Sequence, residues 1–141
     1  MVREKIEKIK NCGFASSVVE LKLLTDRLVS GRGDGSGIFT VKYQMLYLID
    51  STGKTSPQEL IFELNMAKSN LALIAKKMIA EGLIESTKEK SNKKQIYYVI
   101  TEKGKKELSI RMKSIENICS NESKEMLNHL SKTINMLKKV K

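Results

Sequence analysis

Seven side chains between positions 68 and 77 combine charge, hydrogen bonding and small apolar groups at helical spacing: Lys68, Ser69, Asn70, Ala72, Leu73, Lys76 and Lys77. On a helix over residues 67–80, Leu71, Ile74, Ala75 and Met78 fall on one side and form a buried face. Lys68, Ser69, Ala72, Leu73 and Lys76 fall on the opposite face, with Asn70 and Lys77 at its edges. Asn presents an amide that matches adenine, Ser a hydroxyl, and Lys a cation for guanine or phosphate, while Ala72 and Leu73 suit thymine methyls. A second group follows at Lys88, Lys90, Asn92, Lys93 and Lys94, where four lysines crowd one short turn. Such a turn suits phosphate or minor-groove contact. A solvated helix and a solvated turn would have the same residue types, but a plain helical bundle does not need the hairpin pattern that lies between the two groups.

The elements that must hold these residues follow from local pattern. Residues 56–64 start with Ser56, Pro57 and Glu59, a capping-box helix start, and Leu60, Ile61 and Leu64 give it a buried side. Asn65 and Met66 make the turn into residues 67–80, and Gly82 ends that helix. Residues 83–88 and 95–100 are strands, with Ile96, Tyr98 and Ile100 alternating with Tyr97 and Val99. Helix, tight turn, helix and basic hairpin make a winged helix-turn-helix, which presents one helix to the major groove of DNA.

Around this unit the pattern is helical. Residues 2–30 carry Val2, Ile6, Ile9, Val18, Leu21, Leu24 and Leu28 at three- and four-residue steps, as one helix or as two broken near Gly13. Residues 31–37 form a glycine-rich connector. No strand precedes its alternating glycines and no Lys-Ser/Thr follows them, which argues against a phosphate loop. Residues 40–49 form a short helix with Val41, Met45, Leu46, Leu48 and Ile49 as core, and 50–55 a loop. Thr101 caps a helix to about Cys119 with Leu108, Met112, Ile115 and Ile118 on one stripe. A last helix carries Met126, Leu127, Leu130, Ile134 and Leu137. These end stripes exceed the needs of one small core and suggest a helical dimer interface. The fold class expected is mainly α with a small β-hairpin. Residues 37–105 form the winged unit, and 1–36 and 106–141 the dimerisation helices.

Bulk composition narrows the function. The 141 residues fit one compact domain with a dimerisation element, and 40% apolar content supports a core. A net charge of +10 favours a polyanionic partner, because released counterions drive binding. The surplus is spread along the chain and is mostly lysine, which offers point charges rather than the arginine fork. Cys12 and Cys119 lie far apart without metal spacing, His129 stands alone, and no nucleophile motif is present. An enzyme, a metal site and a cofactor are therefore not expected. The charged start, Met1-Val2-Arg3-Glu4-Lys5, argues against a signal peptide, and no apolar run of membrane-spanning length exists. A reducing cytoplasm is the simplest location.

At this point the chain resembles the MarR family of bacterial winged helix-turn-helix transcriptional regulators. Residues 68–84 look like the family's second motif helix with its exit Glu81-Gly82-Leu83-Ile84. Tyr97-Tyr98-Val99-Ile100-Thr101-Glu102-Lys103-Gly104 looks like the closing wing strand and next helix start. Gly37-Ile38-Phe39-Thr40 through Leu46-Tyr47-Leu48 resembles the helix before the motif, and Asn121-Glu122-Ser123 the start of the last helix. The resemblance spans about residues 17–138. The family's wing commonly carries Asp-x-Arg; here the matching residues are Asn92-Lys93-Lys94. This wing should hold phosphates and read bases less sharply, since a narrow minor groove favours Arg.

The resemblance implies a homodimeric repressor with double-stranded DNA as partner, a pseudo-palindromic operator, and release by a small aromatic or anionic effector. Tyr43 and Tyr47, one helical turn apart, lie near where that effector would bind, although core packing also explains them. One branch of the family senses peroxide through an N-terminal cysteine, and Cys12 invites that alternative, with no designed thiolate environment evident beside it. A further alternative is an architectural protein that binds nucleic acid without sequence preference, separable from a regulator by its specificity ratio at fixed salt.

Overall fold

The computed structural model describes residues 13–30, 40–118 and 123–140. Its elements are α1 (Gly13–Ser30), α2 (Val41–Thr52), α3 (Pro57–Leu64), α4 (Lys68–Ala80), β1 (Ile84–Lys88), β2 (Ile96–Ile100), α5 (Glu102–Ile118) and α6 (Ser123–Leu137). Mainly helical architecture with one antiparallel hairpin is what the pattern implies. The readings at residues 2–12 and on the glycine-rich connector lie outside the described residues, as do Cys12, Cys119 and Asn121-Glu122.

One core holds α2 to α5 together. Met45, Leu46 and Ile49 of α2 meet Leu60 of α3, Leu71, Ala75 and Met78 of α4, Leu83 and Ile84 at the wing root, and Leu108 of α5. Nine of these side chains are essentially sealed from water. Burial of each large aliphatic chain contributes about 1.5–3 kcal/mol, so this cluster dominates the stability of the winged unit. Tyr98 and Ile100 of β2 pack half-buried against it.

The helix ends follow their local chemistry. Ser56 Oγ accepts from Glu59 N at 3.2 Å, and Ser56 N donates to Glu59 Oε2 at 2.9 Å, completing the capping box with Pro57 at the first position. Asn65 takes φ 50° in the left-handed region, so α3 ends abruptly and the chain turns into α4. Gly82 adopts φ +75° after α4. Thr101 Oγ1 accepts from Gly104 N at 3.0 Å, capping α5.

Three local expectations are corrected. The helix expected over 40–49 extends to Thr52, and residues 50–52 are not loop. Ser51 Oγ donates to Tyr47 O at 2.7 Å and Thr52 Oγ1 to Leu48 O at 2.9 Å, prolonging the last turn until Gly53 at φ +82° closes it. Thr55 is a bridge residue rather than loop: its N–H donates to Tyr98 O at 3.1 Å and its carbonyl accepts from Tyr98 N at 2.8 Å. The alternation expected on the second strand is also absent from its burial: Ile96 is exposed, and Tyr97, Tyr98, Val99 and Ile100 are all half-buried.

The end helices are a different case. On α1, Phe14, Val18, Val19, Leu21, Leu23 and Leu24 are exposed, and on α6 so are Met126, Leu127, Leu130, Ile134 and Met136. Side chains of this size are ordinary on a surface singly, but repeated along two helices they form an uncovered apolar stripe.

Candidate nucleic-acid interface

Helix α4 is split lengthwise by burial. Leu71, Ala75 and Met78 are buried and Ile74 half-buried, which seats the helix on the core through α2 and the wing root. Lys68, Ser69, Asn70, Ala72, Leu73, Lys76 and Lys77 are all exposed. Ser69, Ala72, Leu73 and Lys76 lie at i, i+3, i+4 and i+7, a single stripe opposite the core. Leu73 is 70% exposed, so it contributes nothing to the core and is available to an outside surface. The α3–α4 turn holds this helix at a fixed angle: Asn65 N donates to Phe62 O at 3.3 Å and Met66 N to Ile61 O at 3.2 Å.

The wing is a β-hairpin in register Ile84↔Ile100 to Lys88↔Ile96. Its root is clasped by α5: Thr101 N donates to Leu83 O at 3.1 Å, and Thr101 Oγ1 to Gly82 O at 2.6 Å. Gly104 lets α5 come this close, since a Cβ there would stand 2.2 Å from Leu83 O. At the tip, Lys88, Lys90, Asn92, Lys93 and Lys94 are exposed. Asn92 also shapes the turn: its Oδ1 accepts from Lys94 N at 3.2 Å and its backbone carbonyl from Gln95 N at 3.2 Å. That leaves Asn92 its amide NH2 as a donor to a partner.

Sequence reasoning missed the group that ties the wing down. Lys54 forms an ion pair with Glu89 of the tip, and its Nζ stands 4.6 Å from the centre of the Tyr97 ring. Gln95 Nε2 donates to Gln58 Oε1 at 3.4 Å beside it. The hydrogen bond to Glu89 raises the Lys54 pKa above its ordinary value, and the same bond lowers that of Glu89. Burial raises the pKa of Tyr98. No short-range pattern signals Lys54, because its partner is 35 residues away.

The two tyrosines singled out by spacing separate in space. Tyr43 packs half-buried against the core, with Lys42 Nζ at 5.0 Å and Arg111 Cζ at 4.4 Å from its ring centre. It lines a cleft of about 230 Å³ with Glu107, Ile110, Arg111 and Ser114. Tyr47 is exposed and does not line that cleft. A second cleft of about 410 Å³ lies between α2 and α4, lined by Thr40, Val41, Lys42, Ile74, Lys77, Met78 and Glu81. Among the described residues no helix is long and apolar enough to cross a membrane, and no cluster of three or more His, Cys, Asp or Glu is placed to hold a metal.

Comparison with known proteins bears on this geometry. Residues 40–96 match the sequence profile of the MarR family. No curated protein sequence matches the chain. Among solved structures, it is similar to a MarR family transcriptional regulator from Silicibacter pomeroyi, with TM-score 0.66 and 17% identity over 92% of this chain and 89% of that one. It is also similar to the transcriptional regulator Tm0710 from Thermotoga maritima, with TM-score 0.56 and 25% identity over 89% of this chain and 94% of that one. A mutant MarR from E. coli complexed with operator DNA matches with TM-score 0.59 and 15% identity, over 93% and 95% of the two chains. The matched segment runs from the start of α2 to the first residue of β2 and so contains the two-faced helix and the basic tip. Over residues 40–96 the chain is therefore similar to the MarR family, and its fold is similar to those of winged helix-turn-helix transcriptional regulators.

Proposed function

We propose that the protein is a sequence-specific double-stranded DNA-binding regulator that acts as a homodimeric repressor on a pseudo-palindromic operator. One observation carries this reading. Lys68, Lys76, Lys77, Lys88, Lys90, Lys93 and Lys94 are exposed on α4 and the wing, and none of them has an ion pair among the described residues. Unpaired cations on one helix face and the adjacent turn are what a phosphate backbone neutralises. Asn70 and Ser69 between them supply the groups that discriminate bases. The E. coli MarR structure with operator DNA supports the same use of the fold.

Dimerisation explains the apolar stripes on α1 and α6, which one copy leaves in water. Residues 1–36 and 106–141 then serve the dimer, and 37–105 the DNA. Leu108 sits in the winged core, so the first turns of α5 join the two parts. The cleft beside Tyr43 and Arg111 suits a small aromatic or anionic effector, whose binding would shift the spacing of the two wings. A cytoplasmic location accords with this role.

The test is selection of genomic fragments by the purified protein against excess random competitor. A few enriched fragments sharing an inverted repeat, with half-sites one helical turn (~34 Å) apart, are expected. Retention of all fragments in proportion to length would replace the regulator by an architectural protein.

A further inference from the structure

We propose that Lys54 is a positioning residue for the wing: with Glu89, Tyr97 and the Gln58–Gln95 pair it staples the hairpin tip to the turn before α3, so that the tip lysines meet the DNA backbone in one orientation. This role deepens the regulatory reading and rests on it.

A two-stranded hairpin alone is marginally stable in water. Here the root is held by Leu83, Ile84 and Thr101, and the middle by the two backbone hydrogen bonds between Thr55 and Tyr98. Beyond Tyr98 apolar packing runs out, since Ile96, Thr87 and Lys88 are exposed. The contacts that reach the tip are polar and come from one place. Gly53 at φ +82° ends α2, and the Thr55 bridge lays the next residues along β2. Lys54 is thereby set over the Tyr97 ring with its ammonium on the Glu89 carboxylate. In the first turn of α3, Gln58 takes the Gln95 amide at the other end of the tip. Residues on both strands next to the tip are therefore tied to the same short segment.

The staple also disposes of an awkward charge. Glu89 is the acidic residue of a tip that otherwise carries Lys90, Lys93 and Lys94. Unpaired, it would repel phosphate and draw those lysines inward. Among the described residues it pairs instead with Lys54, and none of those three lysines forms an ion pair with it.

The reading separates cleanly from simple charge counting. Replacing both Lys54 and Glu89 by Ala leaves the net charge unchanged, so electrostatics alone predicts unchanged binding. Glu89→Gln removes one negative charge per chain, so electrostatics alone predicts tighter binding. The staple predicts that both variants bind a duplex selected by the wild-type protein from a random pool about two- to thirtyfold more weakly, the range spanned by exposed ion pairs counted in both subunits. The exchange Lys54→Glu with Glu89→Lys should recover most of the loss. In the free protein, backbone 15N relaxation at residues 89–95 should show the tip loosened in the double Ala variant, with unchanged signals from α4. Tighter binding by Glu89→Gln, or a tip as rigid in the double variant as in wild type, would overturn the staple. If wild type selects no duplex at all, the regulatory reading fails by itself, and the relaxation data on the free protein still decide whether these contacts order the wing.

Discussion

Gly104→Ala should unfold the contact between α5 and the wing root. A Cβ at position 104 would lie 2.2 Å from Leu83 O, 2.8 Å from Ile100 Cγ1 and 3.1 Å from Leu83 C. An ordinary carbon–oxygen contact needs about 3.3 Å, so backbone must retreat by about 1 Å. The carbonyl in the way also accepts from Thr101 N at 3.1 Å and Thr101 Oγ1 at 3.0 Å. Overpacking of this kind costs about 1–3 kcal/mol, and weakening one such hydrogen bond costs about 0.5–1.5 kcal/mol. The better helix propensity of Ala returns at most ~1 kcal/mol. A net loss of about 0.5–3.5 kcal/mol follows, equivalent to a fall in Tm of about 2–15 °C for a chain of this size. Thermal and urea melts of wild type and variant measure it. Gly13→Ala is the control, since among the described residues nothing lies within 4 Å of a Cβ there. That variant should be neutral or slightly stabilised. If Gly104→Ala were equally harmless, the close approach that clasps the wing would not exist.

Two further outcomes follow from the surface. Replacing Lys90, Lys93 and Lys94 by Ala should lower the slope of log K against log salt by about 2–5 in a dimer, at ~0.9 per phosphate released, while stability shifts by less than ~0.5 kcal/mol; an unchanged slope would leave the tip as a solvated turn. Light scattering at micromolar concentration should report a dimer, and Leu130→Glu with Ile134→Glu on the exposed stripe of α6 should shift it towards monomer; a wild-type monomer would refute the use assigned to that stripe.

What could be read from the sequence was local. Ser56, Pro57 and Glu59 declare a helix start within four positions, and the structure has the capping box. Leu71, Ala75 and Met78 mark the inner face of α4 by spacing alone, which leaves the outer face by subtraction. The end of α2 is not legible in sequence, because Ser51 and Thr52 are turn formers by type, yet here their hydroxyls bond back to the preceding helical carbonyls. Tyr43 and Tyr47 share a helix face by number, but α5 meets the helix at Tyr43 through Arg111 and leaves Tyr47 in water. Lys54 and Glu89 could not be paired at all, because the Thr55–Tyr98 bridge that brings them together is a tertiary hydrogen-bond pair without a sequence signature. Gly104 stood out only as part of a family pattern; the reason for glycine, the Leu83 carbonyl, is visible only in space.

The central claim is a division of labour, with the outer face of α4 reading bases and the wing holding the backbone. It is tested most directly by the ratio of affinities for a selected duplex and a scrambled one, at one salt concentration, in wild type and Asn70→Ala. A bidentate amide–base contact is worth about 1–3 kcal/mol, so that ratio should fall by roughly tenfold or more. Equal weakening on both duplexes would contradict it, because α4 would then be touching DNA without reading it.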